Sequence, residues 1–384
     1  MTQSRGADRL GTVLCVMLLT AFFLPFVIFK SNRIVPGDPF GLAAVLRSSV
    51  AVACYAIWIA VGVTAICVSN ARIRLIASIA GLVVVFAAVA TAADILTPVG
   101  NKVVRVAPGA GFWLLVLALA LLATDAVSRM KLRPISRVLA LAAFIGLAAA
   151  VLANGVFDNL SIMREYFVNA DRFTQEVRQH VWLVAGSLGS AVVVALPVGI
   201  LCHRLPRIRA GVLGVLNIVQ TIPAIALFGI LMVPLGALAS AVPLASRLGI
   251  AGIGAAPAIA ALFLYSLLPI VANTATGLRR VSPATVEAAL GMGMTRWQVL
   301  TSVELALAFP VILTGIRIVL VQNIGLATIA ALIGGGGLGA FVFQGIGQTA
   351  TDLVLLGALP TVALAFSAAI LLDALVEVLD RTKP

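Results

Sequence analysis

Apolar runs of about 20 residues follow one another along this chain, and that repeated length constrains its fold more than any other feature. A helix rises 1.5 Å per residue, so a run of about 20 crosses the roughly 30 Å hydrocarbon core of a bilayer. Ten such segments can be marked, near residues 10–29, 48–68, 73–93, 110–128, 135–153, 180–201, 210–233, 252–274, 309–332 and 353–376. Hydrophobic residues fill 62% of the 384 positions and charged ones only 10%, too few to give a water-soluble fold its polar surface. The expected fold class is therefore an all-α membrane protein of about ten transmembrane helices. The first run, Leu10 to Phe29, follows Arg5 and Arg9 as a signal peptide would. Its length and the lack of a small-x-small cleavage site mark it as a retained span.

A formal net charge of +12 raises the question of nucleic acid. Lys and Arg fall in short clusters between apolar runs and form no single basic face, so no nucleic-acid partner is expected. The clusters report topology instead, because cytoplasmic loops hold the excess of basic residues. Beyond residue 201, Arg204, Arg207, Arg209, Arg279, Arg280, Arg296, Arg381 and Lys383 fall on one side of the ten-span scheme and Arg247 alone on the other. Both termini are expected in the cytoplasm, with membrane lipid around the spans.

Residues 154–179 form the longest polar stretch (NGVFDNLSIMREYFVNADRFTQEVRQ). Each charge at mid-span costs about 2.5–3.5 kcal/mol on insertion scales, so this stretch belongs outside the hydrocarbon. It is read as an extracytoplasmic linker between an N-terminal membrane extension of five helices (1–153) and a second five-span domain (180–384). The cysteines Cys15, Cys54, Cys67 and Cys202 stand singly, with no CxxC pair or histidine cluster, so no metal site is expected.

The most informative segment is the loop 277–307 between the eighth and ninth spans (GLRRVSPATVEAALGMGMTRWQVLTSVELAL). Ser282 is a good N-cap and Pro283 a good first helical residue, so a short helix is expected through Thr285, Val286, Glu287, Ala288, Ala289 and Leu290. Gly291 and Gly293 end it. Thr295 and Gln298 then fit a capping box, which opens a second helix through Trp297, Leu300 and Val303. Ala288 and Ala289 leave room for close approach by another surface, with Glu287, Arg279, Arg280 and Arg296 charging its rim. Two short helices bent at a glycine turn suit the docking of a partner protein.

This segment resembles the EAA signature of ABC-importer permeases: Glu-Ala-Ala, three residues, Gly, nine residues, then aliphatic-x-Leu-Pro. Glu287, Ala288 and Ala289 are followed at that spacing by Gly293 and then by Val303, Glu304 and Leu305. Ala306 stands where the pattern has proline, and Pro310 comes four residues later. From His180 to the C-terminus the chain is similar to permeases of the glycine betaine, carnitine and choline importers. The resemblance is carried by Asn217 to Pro223 (NIVQTIP), Leu264 to Asn273 (LYSLLPIVAN), Gly291 to Trp297 (GMGMTRW) and Leu332 to Gly339 (LIGGGGLG).

The resemblance implies a coupling helix, carried by Glu287, Ala288, Ala289 and Gly293 with Arg296 beside them, that docks on a separate cytoplasmic ABC ATPase. It also implies an extracytoplasmic solute-binding protein, a second permease chain in a homo- or heterodimer, and a place in the inner membrane. The solute class it implies is a small osmolyte, glycine betaine or another quaternary ammonium compound.

The run Gly334 to Gly337 lacks the Lys-Ser/Thr of a phosphate loop, so no cofactor is expected in this chain and ATP is expected on the partner. Polar residues inside spans should face other helices or a water-lined path, because an unpaired amide is costly in lipid. Asn217, Gln220 and Thr221 in the seventh span, Tyr265 and Asn273 in the eighth, and Gln322 and Asn323 in the ninth are the candidates for a translocation pathway. Each is open to the simpler reading of an interhelical hydrogen bond. Arg317 lies deep in the ninth span, where it either snorkels or pairs with Glu304 or a polar group on the pathway. No Asp or Glu lies mid-span in the second half, which weakens the alternative of a proton- or ion-coupled secondary transporter.

The basic-residue asymmetry makes a direct prediction. A single cysteine at Arg280 should react with an impermeant maleimide only after the cytoplasm is exposed, and one at Thr351 should react in intact cells. Labelling of both from the same side contradicts the topology.

Overall fold

The structure, a computed structural model, describes residues 8–33, 35–101 and 103–379. It contains two compact units, residues 1–136 with 142–168, and residues 137–141 with 169–384.

The first unit begins with α1 (Arg9–Ala21), whose N-terminus is capped by the Asp8 carboxylate. Then come β1 (Val27–Lys30), β2 (Asp38–Phe40), α2 (Leu42–Val45), α3 (Ser48–Cys67), α4 (Ala71–Leu96), β3 (Arg105–Pro108), α5 (Ala110–Met130), most of α6 (Pro134–Ala153) and α7 (Ser161–Val168). The strands form an antiparallel sheet in the order β2-β1-β3, with Val27 opposite both Phe40 and Pro108. Its core gathers Leu14, Trp58, Phe112, Leu115 and Leu119. Helices α1 and α3 approach closely, since a Cβ on Gly11 would lie 2.1 Å from the Ala65 carbonyl oxygen.

The expected first span of residues 10–29 is corrected here. Helix α1 has 13 residues, about 20 Å, because from Val27 the backbone is satisfied by two neighbouring strands instead of a continuing helix. Among the described residues nine helices are long and apolar enough to cross a membrane, with α1 as a tenth, shorter apolar helix.

Arg74 is 2% exposed and is fully engaged. Its guanidinium donates to Asp8 at 2.6 Å, Asp125 at 3.0 Å, and the carbonyls of Ala65 and Val68 at 2.7 and 2.6 Å. Arg129 donates to the same two carboxylates, so two negative and two positive charges close on one another.

The second unit contains α8 (Ala170–Arg204), α9 (Pro206–Thr221), α10 (Ala224–Ala241), α11 (Pro243–Arg247), α12 (Ala255–Arg279), α13 (Pro283–Gly291) and α14 (Arg296–Gln298). A π-helical turn (Val299–Glu304) leads into α15 (Leu305–Leu326), a 3₁₀ turn (Ala327–Ile333), α16 (Gly339–Gly347) and α17 (Thr351–Leu379). Helix α12 is central and packs against α8 and α15. Close backbone approach at two glycines makes this possible, because a Cβ on Gly199 would meet the Thr274 side chain at 2.5 Å and one on Gly315 the Asn273 side chain at 2.8 Å.

Three sequence expectations change in this unit. The polar stretch 154–179 is not a separate connection throughout, because its last residues are the opening turns of α8. At 35 residues α8 is about 52 Å long, more than a hydrocarbon core requires, so Asp171, Arg172, Glu176 and Arg178 ride on its first turns. The expected seventh span, 210–233, is two helices broken at Ile222 and Pro223. The second short helix of the 277–307 loop is not a separate element, since α14 continues through the π-helical turn into α15.

Removing one partner from a buried charge cluster leaves the others uncompensated. Arg74→Met should therefore cost about 3–5 kcal/mol, read as loss of thermal stability of the purified chain in detergent. An unchanged melting curve contradicts the packing described.

Candidate coupling and translocation site

The 277–307 segment is built from local signals. Ser282 has extended φ/ψ at the head of α13, Pro283 is its first residue, and the helix ends at Gly291. Gly293 has φ +87°, a left-handed conformation that a residue with a Cβ adopts only with strain. Thr295 and Gln298 form the complete capping box, with the Gln298 N–H donating to Thr295 Oγ1 at 3.3 Å and the Thr295 N–H donating to Gln298 Oε1 at 2.8 Å.

Glu287, Ala288, Gly293 and Arg296 are exposed. Ala289 is not, at 2%, and packs inward, so only Ala288 of the alanine pair is open to an approaching surface. Sequence reasoning missed the apolar part of the outer face. Leu290, Met292 and Trp297 are 42%, 77% and 71% exposed, whereas Leu300, one turn on, is buried. Trp297 shares the expected second helix with Leu300 but not its burial. The capping box turns it outward.

The segment rests on an apolar cluster of Leu278, Leu300, Ala308 and Ile312. Glu304, at the end of the π-helical turn, is 3% exposed. It pairs with Arg204 and has His203 Nε2 3.9 Å from its other oxygen. Arg317 pairs instead with Asp373 of α17, which corrects the option of an Arg317–Glu304 pair.

The polar residues of the spans form two knots. In the first, α9 and α12 complete each other's broken ladders. Pro269 has no N–H, which frees the carbonyl of Tyr265 four residues earlier, and Gln220 Nε2 donates to it at 2.9 Å. In return the Tyr265 hydroxyl donates to the Ile222 carbonyl at the α9–α10 break. In the second knot, Asn323 of α15 is fully buried and donates to Ser187 of α8 at 3.0 Å and Ser266 of α12 at 2.9 Å. Both serine hydroxyls donate to their own helices, which leaves their oxygens free to accept.

The remaining candidates do not join these knots. Asn273 is half-buried and donates to the Pro269 carbonyl on its own helix at 2.8 Å. Gln322 is half-buried, while Asn217 and Thr221 are exposed on α9, a helix with no buried residue.

The glycine run is held from α8. Gly334, Gly336 and Gly337 have positive φ. The Gly337 N–H donates to Glu176 at 2.6 Å, Gln179 Nε2 donates to the Gly335 carbonyl at 3.0 Å, and His180 Nε2 lies 3.0 Å from the Ile324 carbonyl oxygen. These three α8 residues were not singled out from sequence as a set. No local sequence signal links them to the glycine run, which lies 156 and 161 residues from Gln179 and Glu176 in the bonds they make.

The first unit has a cavity of about 670 Å³ lined by Asp94, Thr97, Asn101, Arg105, Asp158, Asn159, Arg164 and Phe167 among others. Most of its charge is already engaged. Asn159 donates to Asp94 at 2.8 Å, and Arg164 donates to the Val104 carbonyl at 2.7 Å and to Asn159 at 3.0 Å. Arg105 lies 3.9 Å from the buried Glu165. Among the described residues no group of three or more His, Cys, Asp or Glu is placed to hold a metal ion.

With this geometry in view, comparison with known proteins is decisive. Residues 195–383 match the family described as binding-protein-dependent transport system inner membrane component, and residues 8–163 match the N-terminal domain of ABC transporter permease YehY. The osmoprotectant import permease protein OsmW of Salmonella typhimurium is 44% identical over 50% of this chain and 84% of its own length. The carnitine transport permease protein OpuCD of Listeria monocytogenes is 37% identical over 59% of this chain and 95% of its own. The chain belongs to the binding-protein-dependent permease family of ABC importers.

A choline transport system permease protein, OpuBD of Bacillus subtilis, is also similar, at 38% identity over 58% of this chain and 92% of its own. Among solved structures, the inward-facing MetNI methionine ABC transporter matches with a TM-score of 0.48 and 21% identity, over 54% of this chain and 96% of that one. As a permease of this family the chain is a multi-pass inner-membrane transport subunit. The YehY-type N-terminal match ends at residue 163, near the boundary of the first compact unit.

The two kinds of polar residue should respond differently to truncation. Asn323→Ala removes two interhelical bonds and should cost about 1–2 kcal/mol of unfolding free energy in detergent. Thr221→Ala removes a hydroxyl that bonds only within its own helix, and should cost less than about 0.5 kcal/mol. Equal effects in a denaturant titration contradict the assignment of Asn323 as the three-helix link.

Proposed function

We propose that this permease imports a small osmolyte, glycine betaine or another quaternary ammonium compound, driven by ATP hydrolysis on a separate subunit. The single observation that carries the energy-coupling part is the exposed face of the 277–307 segment. Glu287, Ala288, Gly293 and Arg296 stand beside the exposed side chains of Leu290, Met292 and Trp297, and apolar side chains at such exposure suit a protein partner. That partner is the cytoplasmic ABC ATPase, so α13 docks on the cytoplasmic side and both termini lie there as well.

No cofactor is assigned to this chain. The Gly337 N–H that a phosphate would need is taken by the Glu176 carboxylate, which supports placing ATP on the partner. The solute class is supported by the osmoprotectant, carnitine and choline permeases to which the chain is similar. An extracytoplasmic solute-binding protein delivers the solute. A second permease chain, a copy or a relative, covers α9, whose exposed Asn217 and Thr221 are poorly suited to lipid. Together with Gln220, Tyr265, Asn273, Gln322 and Asn323 these residues are the proposed pathway set, with the two knots holding its walls.

Proton- or ion-coupled secondary transport has less support. The carboxylates of Glu304 and Asp373 are ion-paired, and the deepest polar link, Asn323 with Ser187 and Ser266, does not ionise.

The test is uptake into proteoliposomes holding this chain and its ATPase. Uptake of labelled glycine betaine should require ATP on the ATPase side and binding protein on the other, and should persist with a protonophore. Gly293→Asp and Glu287→Arg should lower ATPase association and uptake together at equal amounts of reconstituted chain. Uptake driven by a proton gradient without ATP, or normal ATPase association in both variants, contradicts the proposal.

A further inference from the structure

The chain leaves the docking segment toward α15, but α8 ends against the same place from 100 residues away in sequence. Residues of the 277–307 segment reach α12 and α15 through the backbone. They reach α8 only through side chains. Leu196 and Ile200 of α8 pack against the Leu278–Leu300 cluster, and one charged contact adds to them at the end of the helix. The Glu304 carboxylate, 3% exposed at the end of the π-helical turn, pairs with Arg204 and faces His203, the last two residues of α8.

Three observations converge on Glu304. It is the final residue of a π-helical turn, where the Leu305 N–H donates to the carbonyl of Leu300, and such turns are rare and concentrate at functional sites. Its side chain is buried while Arg204 is partly open, at 43% exposure, so the carboxylate depends on this partner for compensation. Finally, Leu205 and Pro206 follow Arg204 directly and turn the chain into α9, so whatever moves Arg204 moves α9 and its polar knot with Tyr265.

We infer that Glu304 is a positioning residue for energy coupling: it makes the last turn of α8 and the elbow into α9 follow the docking segment when the ATPase displaces it. The inference rests on the permease reading above and deepens it. Without the charge pair, displacement of α13 still moves α12 and α15. The body of α8 packs on α12 and follows it, but its last turn and the elbow into α9 are then no longer held to the segment, because a buried carboxylate separated from its cation is too costly for the natural chain to tolerate, whereas a neutral amide releases the contact.

The experiment uses the reconstituted transporter, with this chain, its ATPase and the binding protein. The variants are Glu304→Gln and Arg204→Gln, compared with wild type for ATPase association, ATP hydrolysis and uptake of labelled glycine betaine. Both variants should keep ATPase association and hydrolysis, and solute moved per ATP should fall by about tenfold or more. Glu304→Asp, which keeps the charge, should recover part of that ratio.

A ratio unchanged in both variants overturns the inference. Loss of ATPase association together with uptake also overturns it, because Glu304 would then be part of the docking surface. The permease reading has its own control, since absence of ATP-dependent uptake by wild type defeats that reading before any variant is compared. If Glu304→Gln does not accumulate, spin labels at the exposed positions Arg207 and Thr301 of the otherwise natural chain give the answer. Their separation should stay fixed between the nucleotide-free and ATP-bound transporter, and a changed separation overturns the proposal.

Discussion

Hydrocarbon offers a backbone carbonyl nothing to bond with, so each break in a membrane helix needs a partner from elsewhere in the protein. The reciprocal clasp between Gln220 and Tyr265 is how the second unit meets that demand. The carbonyl freed by Pro269 is satisfied from α9, and the carbonyl at the end of α9 is satisfied from α12. Two discontinuities that would each be unfavourable alone become one helix–helix contact. Without it the division of residues 210–233 into two helices would expose backbone to lipid.

Charge is handled by the same rule. Arg74 is paired with Asp8 and Asp125 in the first unit, and Glu304 with Arg204 in the second. Buried pairs of this kind add little net stability compared with apolar packing, but separating them is expensive. They are therefore good devices for making elements move as one body. Glu304 sits where that property matters, between the end of α8 and the segment proposed to meet the ATPase. Glu176 plays a quieter part by holding the glycine run with positive φ that follows α15.

The 277–307 segment combines rigidity with exposure. Its bend is set by Gly293 and the Thr295–Gln298 capping box, and its base by Leu278, Leu300, Ala308 and Ile312. A surface held this firmly by local geometry can pass on a push from outside with little loss. The exposed side chains of Leu290, Met292 and Trp297 would be a liability on a protein without a partner, which is why they belong to the functional reading.

Run length, charge asymmetry and helix punctuation were legible in the sequence, and they determined the helical membrane class, the place of most spans, the bend at Gly293 and the capping box. Each depends on residues within a few positions of one another, where propensity and geometry act directly. The tertiary structure alone decided that Val27 enters a sheet and ends α1 early, and that α8 extends back to Ala170. It also decided that Ala289 turns inward and that Arg317 chooses Asp373 over Glu304. Asn217 to Asn323 read as one set of polar candidates, yet packing separated them into two knots, two half-buried residues and two exposed ones, because their partners lie up to 136 residues away. Side-chain pairing over such separations has no periodic or local signature. It is set by which helix faces meet, and that is known only once the helices are packed.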